Sequence, residues 1–201
     1  MFQPDTYDPR RIDTELSWAR FHGLNTVRVF LHDLLWAQDH RGFQVRLAQF
    51  VAIAARHHIK PLFVLFDSCW DPLPKLGRQR APRPGVHNSG WVQSPGAERL
   101  DDRRYIRTLY DYVTGVVSQF RNDDRVLGWD LWNEPDNPAR VYSSVERKDK
   151  QQLVADLLPQ VFQWARSVNP SQPLTAAFGT ASGQIPHAAA QLPQSNSITP
   201  T

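Results

Sequence analysis

Cysteine and methionine each occur once in the 201 residues, as Cys69 and Met1. A lone thiol excludes an intramolecular disulfide and any structural zinc site built from a set of thiols. Long apolar runs are also missing: Leu62 to Phe66 is far shorter than the roughly 20 residues a membrane-spanning helix needs. Neither charge dominates, because 23 Lys and Arg face 20 Asp and Glu. Without a long basic stripe, nothing marks a nucleic-acid groove. No GxGxxG or GxxxxGKS/T motif follows any candidate strand, and the seven histidines fall in no metal-ligand pattern. No cofactor and no metal is therefore expected. The opening MFQPDTYDPR is polar and acidic where an export signal would be basic and then apolar. The expectation is a chain without membrane span or export signal, cytoplasmic as written, with its native compartment left open. Acidic residues stop altogether at Asp156.

What is present repeats one grammar. Ile12, Leu16 and Ala19 recur at helical spacing behind Asp8 and Pro9, and Gly23 ends the run. NTVRVFL (25–31) follows as a strand. Phe43, Leu47, Phe50, Val51 and Ala54 mark a second helix before the strand PLFVLF (61–66). Asp101 and Asp102 stand ready to cap a third helix, carried by Ile106, Leu109, Val113, Val116, Val117 and Phe120, ahead of the strand VLGWDL (126–131). A fourth helix bears Leu153, Leu157, Leu158, Val161, Phe162, Ala165 and Val168, and leads to PLTAAF (173–178). Four helix-then-strand units predict an α/β protein with a parallel sheet, either a (β/α)₈ barrel or a doubly wound sheet. A complete barrel usually needs about 250 residues, more than this chain holds. Residues 68–100 interrupt the rhythm as a long connection rich in proline and glycine, in which Trp70 and Trp91 favour a packed, functional loop. Residues 180–201, mostly Ala, Gln, Ser, Pro and Gly, read as a poorly ordered tail behind a domain spanning 1–179.

The segment WDLWNEPDN (129–137) concentrates the chemistry at the C-terminal end of a strand, the edge where parallel α/β folds bind ligands. Strict alternation would put Gly128, Asp130, Trp132 and Glu134 on one face, and Trp129, Leu131 and Asn133 on the other. A carboxylate beside an indole ring and an amide is equipment for gripping a sugar and protonating its glycosidic oxygen. On strand parity an inward Arg28 could pair with Asp130, since an unpaired buried charge is costly.

NTVRVF, LFVLFDSCW and LGWDLWNEPDN, each closing a strand, together resemble the first half of a retaining glycoside hydrolase with a (β/α)₈ barrel, closest to the family 5 cellulase and mannanase type. The resemblance covers about residues 4–179. It implies that Glu134 is the general acid/base, that Asn133 contacts the sugar 2-hydroxyl, that Arg28 supports the nucleophile and that His32 lines the pocket. The implied reaction is hydrolysis of an O-glycosyl bond in a β-linked polysaccharide or oligosaccharide. A retaining mechanism needs a second carboxylate about 5 Å from the first. In this family it is a Glu near the end of the barrel, and no acid follows Asp156. Met1 to Gln3 sit where a first strand would end. The expectation is a partial, truncated (β/α)₈ barrel, roughly strands two to five, whose exposed barrel edges invite self-association.

Alternatives accompany these assignments. Glu134 could instead cap the next helix or pair with an arginine. Asp33, Asp67 or Asp71 could serve as a base for water in an inverting scheme. Trp36, Trp70, Trp91 and Trp132 either stack on sugar rings or plug the barrel mouth, while Trp18, Trp129 and Trp164 are assigned to the core. Lys75, Arg78, Arg80 and Arg83, with no acid between Asp71 and Glu98, form either a contact for an acidic polymer or a solvated loop. A non-catalytic carbohydrate-binding remnant, or a decayed gene product, is the contrasting class.

Overall fold

A computed structural model of the chain describes residues 1–179. The expected tail, 180–201, lies outside the described residues. Helix α1 (Pro9–Phe21) starts where Asp8 accepts the backbone N–H groups of Arg10 and Arg11, with Pro9 at a position that needs no donor. Strand β1 (Thr26–Phe30), α2 (Asp33–Arg56), β2 (Lys60–Asp67), α3 (Ile106–Phe120), β3 (Gly128–Asn133), α4 (Lys150–Ser167) and β4 (Leu174–Ala177) follow in strict alternation.

The strands form one parallel sheet in the order β1-β2-β3-β4. The helices pack on one another in chain order, α1 on α2, α2 on α3 and α3 on α4. A doubly wound sheet would divide its helices between two faces, so this single layer decides for the barrel-type arrangement. Between sheet and helices lies an aromatic core. Phe63 stacks on Trp129 at 5.7 Å and on Phe120 at 6.2 Å, and Phe50 closes on it from α2.

Several boundaries differ from the sequence reading for local reasons. Helix α2 begins ten residues before Phe43 because its first turn is capped by His32 and then bends at Asp39 (φ −158°, ψ 78°), which breaks the apolar periodicity. Strand β3 is shifted two residues toward its C-terminal end, through Asn133. Asp102 shapes the turn ahead of α3, accepting Tyr105 N and Ile106 N on its carbonyl, and does not cap the helix itself. Met1–Gln3 form no strand; Phe2 instead inserts, 1% exposed, against Phe43 and Phe50. Trp18, expected in the core, is 61% exposed on α1, whereas Trp129 is fully buried. No helix among the described residues is long and apolar enough to cross a membrane.

Candidate active site

The C-terminal ends of β1, β2 and β3 bring together Arg28, Asp67, Asn133 and Glu134. Arg28 donates to Asp130 through both Nε and Nη2, and its Nη2 also reaches Asn133 Oδ1 at 2.9 Å. The pairing expected from strand parity is thus present, but Asn133 joins it from the position that strict alternation assigns to the opposite face. The β3–β4 register shifts between Asp130 and Asn133, and such an irregularity re-aims side chains. Trp132 goes the other way. It is 1% exposed, packs on Phe66 at 5.0 Å and donates its Nε1 hydrogen to Ser68 Oγ, so stacking on a sugar is ruled out for this ring.

Glu134 follows β3 in the left-handed region (φ 46°), a conformation that costs a residue with a Cβ about 1–3 kcal/mol and that clusters at functional sites. Its backbone N–H is held by Ala177 O of β4. Its Oε2 accepts from Asn137 Nδ2 at 2.7 Å and from the thiol of Cys69 at 3.2 Å. Burial, reinforced by the negative charges of Asp67 and Glu134, pushes the Cys69 thiol up, so it stays protonated and donates. Gly179 leaves the space the carboxylate occupies; a Cβ there would stand 2.9 Å from Glu134 Oε2.

Asp67 lies on the neighbouring strand, 5% exposed. Burial raises its carboxyl above the usual range and the Glu134 charge adds to that, against hydrogen bonds from Asn133 Nδ2 (2.8 Å) and Cys69 N (3.0 Å). A cavity of about 410 Å³ opens beside it, lined by Arg28, Phe30, His32, Lys75 and Trp91 among others. Glu134 is not among its lining residues. Arg28 and Asp67 are, and both are bonded to Asn133, which adjoins Glu134 in the chain.

The other candidates separate. His32 lines the cavity with its Nε2 buried and without a partner among the described residues, while its Nδ1 lies within reach of Leu34 N and Asp33 Oδ1. Trp91 is 40% exposed and packs edge-on against Phe30. Trp70 packs edge-on against His87, outside the lining of the cavity. Trp36 is wedged between α2 and α3 over Gly115, against Tyr112, and its placement at the barrel mouth is corrected. Asp33 is fully buried, accepting from Ser94 Oγ and Tyr105 OH. Burial opposes its ionisation, yet His32, Ser94 and Tyr105 together hold its carboxyl below the usual range. Asp71 accepts Leu73 N and lies 3.9 Å from Arg80.

Sequence reasoning missed Cys69 and Asn137 as partners of Glu134. Both lie within quoted motifs, Asn137 three residues after Glu134 and Cys69 just past the end of the adjacent strand. It also missed the buried pair Lys150 and Glu146, joined at 2.9 Å. Lys150 donates to Ser68 O, and Gln93 Nε2 donates to Glu146 and to Trp70 O, so the pair clamps the 68–100 connection over β2. Among the described residues no cluster of three or more His, Cys, Asp or Glu side chains could hold a metal ion.

One layer of helices on a parallel sheet, with its polar residues gathered at the C-terminal strand ends, makes this a partial (β/α)₈ fold. The endo-1,4-beta-mannanase from Eisenia fetida shares it with a TM-score of 0.60 at 14% identity, over 86% of this chain and 51% of that one. The beta-mannanase from the blue mussel Mytilus edulis matches at TM-score 0.51 and 17% identity, over 83% of this chain and 51% of its own. An exo-beta-1,4-mannosidase from an Opitutaceae bacterium matches at 0.55 and 18%, over 83% and 28%. The chain spans about half the length of the two mannanases, and at these identities the likeness is one of fold. No family model and no curated protein matches the sequence.

Proposed function

We propose that the site belongs to a glycosidase acting on a β-linked polysaccharide or oligosaccharide, with Glu134 as general acid/base. The observation that carries the reading is Glu134 itself: a carboxylate in a strained conformation at the C-terminal end of a barrel-type strand, oriented by Asn137 and Cys69. Two donors on one oxygen fix the rotamer and leave Oε1 as the atom that passes a proton to the leaving oxygen as the glycosidic bond breaks; the anomeric carbon then goes to a nucleophile on the opposite face, which in a retaining scheme is a second carboxylate about 5 Å away. Asn133, held between Arg28 and Asp67, is the amide assigned to the 2-hydroxyl. Arg28 neutralises Asp130 beneath the site, and Trp91 and His32 supply the wall of the adjoining cavity.

Sugar binding without turnover by these residues alone is the second reading. It is favoured by how the neighbouring carboxylates are engaged: Asp130 pairs with Arg28, and Asp67 is occupied by Asn133 and Cys69 N. The two readings separate on an aryl β-glycoside. Hydrolysis that disappears in Glu134→Gln supports the enzyme, and a tryptophan fluorescence change with β-linked oligosaccharide but no product supports the binder. Neither signal at high protein concentration sinks both.

A further inference from the structure

The basic segment 75–83 plays no part in the chemistry of Glu134, yet the fold brings it to the same region. Lys75 lines the 410 Å³ cavity alongside Arg28, and Arg80 lines a second cleft of about 320 Å³. Gly90 and Trp91 belong to both, so the two hollows meet at one exposed indole ring. Lys75, Arg78 and Arg83 are exposed and form no ion pair among the described residues, while Arg80 is shared between Asp71 and Tyr142 OH. Arg28 is already committed to Asp130 and Asn133. Of Lys75, Arg78 and Arg83, Lys75 alone lines either hollow, so it carries the unspent positive charge at this surface, with Arg80 lining the hollow on the other side of Trp91. The acids nearby do not cancel it: Asp67 is the only carboxylate lining the first cavity, and none lines the second.

We propose that this surface selects an acidic glycan, binding the carboxylate of a uronate residue beside a β-linked sugar stacked on Trp91. The inference rests on the reading of the Glu134 site as a β-glycan site and specifies its substrate class. The Lys75 ammonium and the Arg80 guanidinium line the two hollows that meet at the exposed ring and favour a counter-charge, which a neutral glycan cannot bring. A sugar carboxylate suits them because guanidinium and ammonium groups both donate to it through charge-assisted hydrogen bonds. The apolar ring of Trp91, held edge-on by Phe30 at 4.8 Å, supplies the face that a pyranose packs on. A nucleic acid fits less well, because single strands are gripped by successive stacking platforms and this surface offers one exposed ring.

The test is a fluorescence titration of the full chain with β-1,4-linked oligosaccharides of equal length, with and without one uronate residue. The variants are Lys75→Gln, at the lining of the first hollow, and Arg78→Gln and Arg83→Gln, on the same basic segment but lining neither hollow. The uronate-bearing sugar is expected to bind more tightly than its neutral counterpart. Lys75→Gln should weaken it about two- to fivefold, the range of an exposed ion pair, and weaken the neutral sugar less, while Arg78→Gln and Arg83→Gln change neither. Raising ionic strength from about 0.01 to about 1 M, which shortens the screening length from about 30 to about 3 Å, should erase the difference. Equal binding of both sugars, untouched by the substitutions, overturns the inference and leaves the glycan site standing. Failure of every oligosaccharide to bind overturns the site and the inference together. An oligonucleotide that competes as well as the uronate sugar would show a non-selective cationic surface and refute the proposal.

Discussion

Replacing Lys150 by methionine tests the clamp that holds the site's longest loop. The ammonium and the Glu146 carboxylate are 2% and 4% exposed, so neither can be rescued by water. Burial lowers the Lys150 pKa, and Glu146 opposes that by favouring the charged form. Lys150→Met removes the donor at 2.9 Å and leaves a buried carboxylate with Gln93 as its remaining side-chain partner. Breaking a buried pair from one side costs about 3–5 kcal/mol, because the surviving charge stays desolvated. At about 2–4 °C per kcal/mol for a domain of this size, Tm should fall by roughly 6–20 °C. The double variant Lys150→Met with Glu146→Leu removes both charges and should recover most of the loss, since well-packed apolar replacements of buried pairs are commonly neutral. Denaturant unfolding of the four proteins closes the cycle. A single-variant cost below about 1 kcal/mol, or a double variant as unstable as the single, would refute the account of a mutually compensating pair.

Asp67→Asn should stabilise the fold at neutral pH. Because burial raises the folded pKa of Asp67, its contribution to stability falls as pH rises from the unfolded value near 3.8 through the folded one. Urea midpoints of parent and variant should therefore converge below about pH 4 and separate above it. Gly115→Ala places a Cβ 2.1 Å from Trp36 Cη2. Overpacking of about 1–3 kcal/mol, less about 1 kcal/mol gained in helix propensity, predicts a net loss of up to about 2 kcal/mol by calorimetry, relieved by adding Trp36→Leu. Glu134→Gly should raise stability by about 1 kcal/mol by releasing the positive φ, while abolishing any glycosidase activity; lower stability in thermal unfolding would count against the strain.

The amino-acid sequence by itself determined the alternation of helices and strands, because each buried face writes its own period into the chain: 3.6 for α3 and α4, a continuous apolar run for β2. It also placed Glu134 and Asn133 at a strand end and paired Arg28 with Asp130. What it could not decide was which way each side chain turns where the period breaks. The register shift after Asp130 brought Asn133 to Arg28 and sent Trp132 into the core, and Asp39 hid the first turn of α2 from any count of apolar spacing. Barrel type over doubly wound sheet was settled by helix-on-helix packing, a contact between residues tens of positions apart that no local pattern encodes. The partners of Glu134 belong to the same class. Cys69 is 65 residues away in the chain, and only the parallel pairing of β2 with β3 sets its thiol against that carboxylate. Glu146 precedes α4 and Lys150 is its first residue, and tertiary burial under the loop alone made them a clamp.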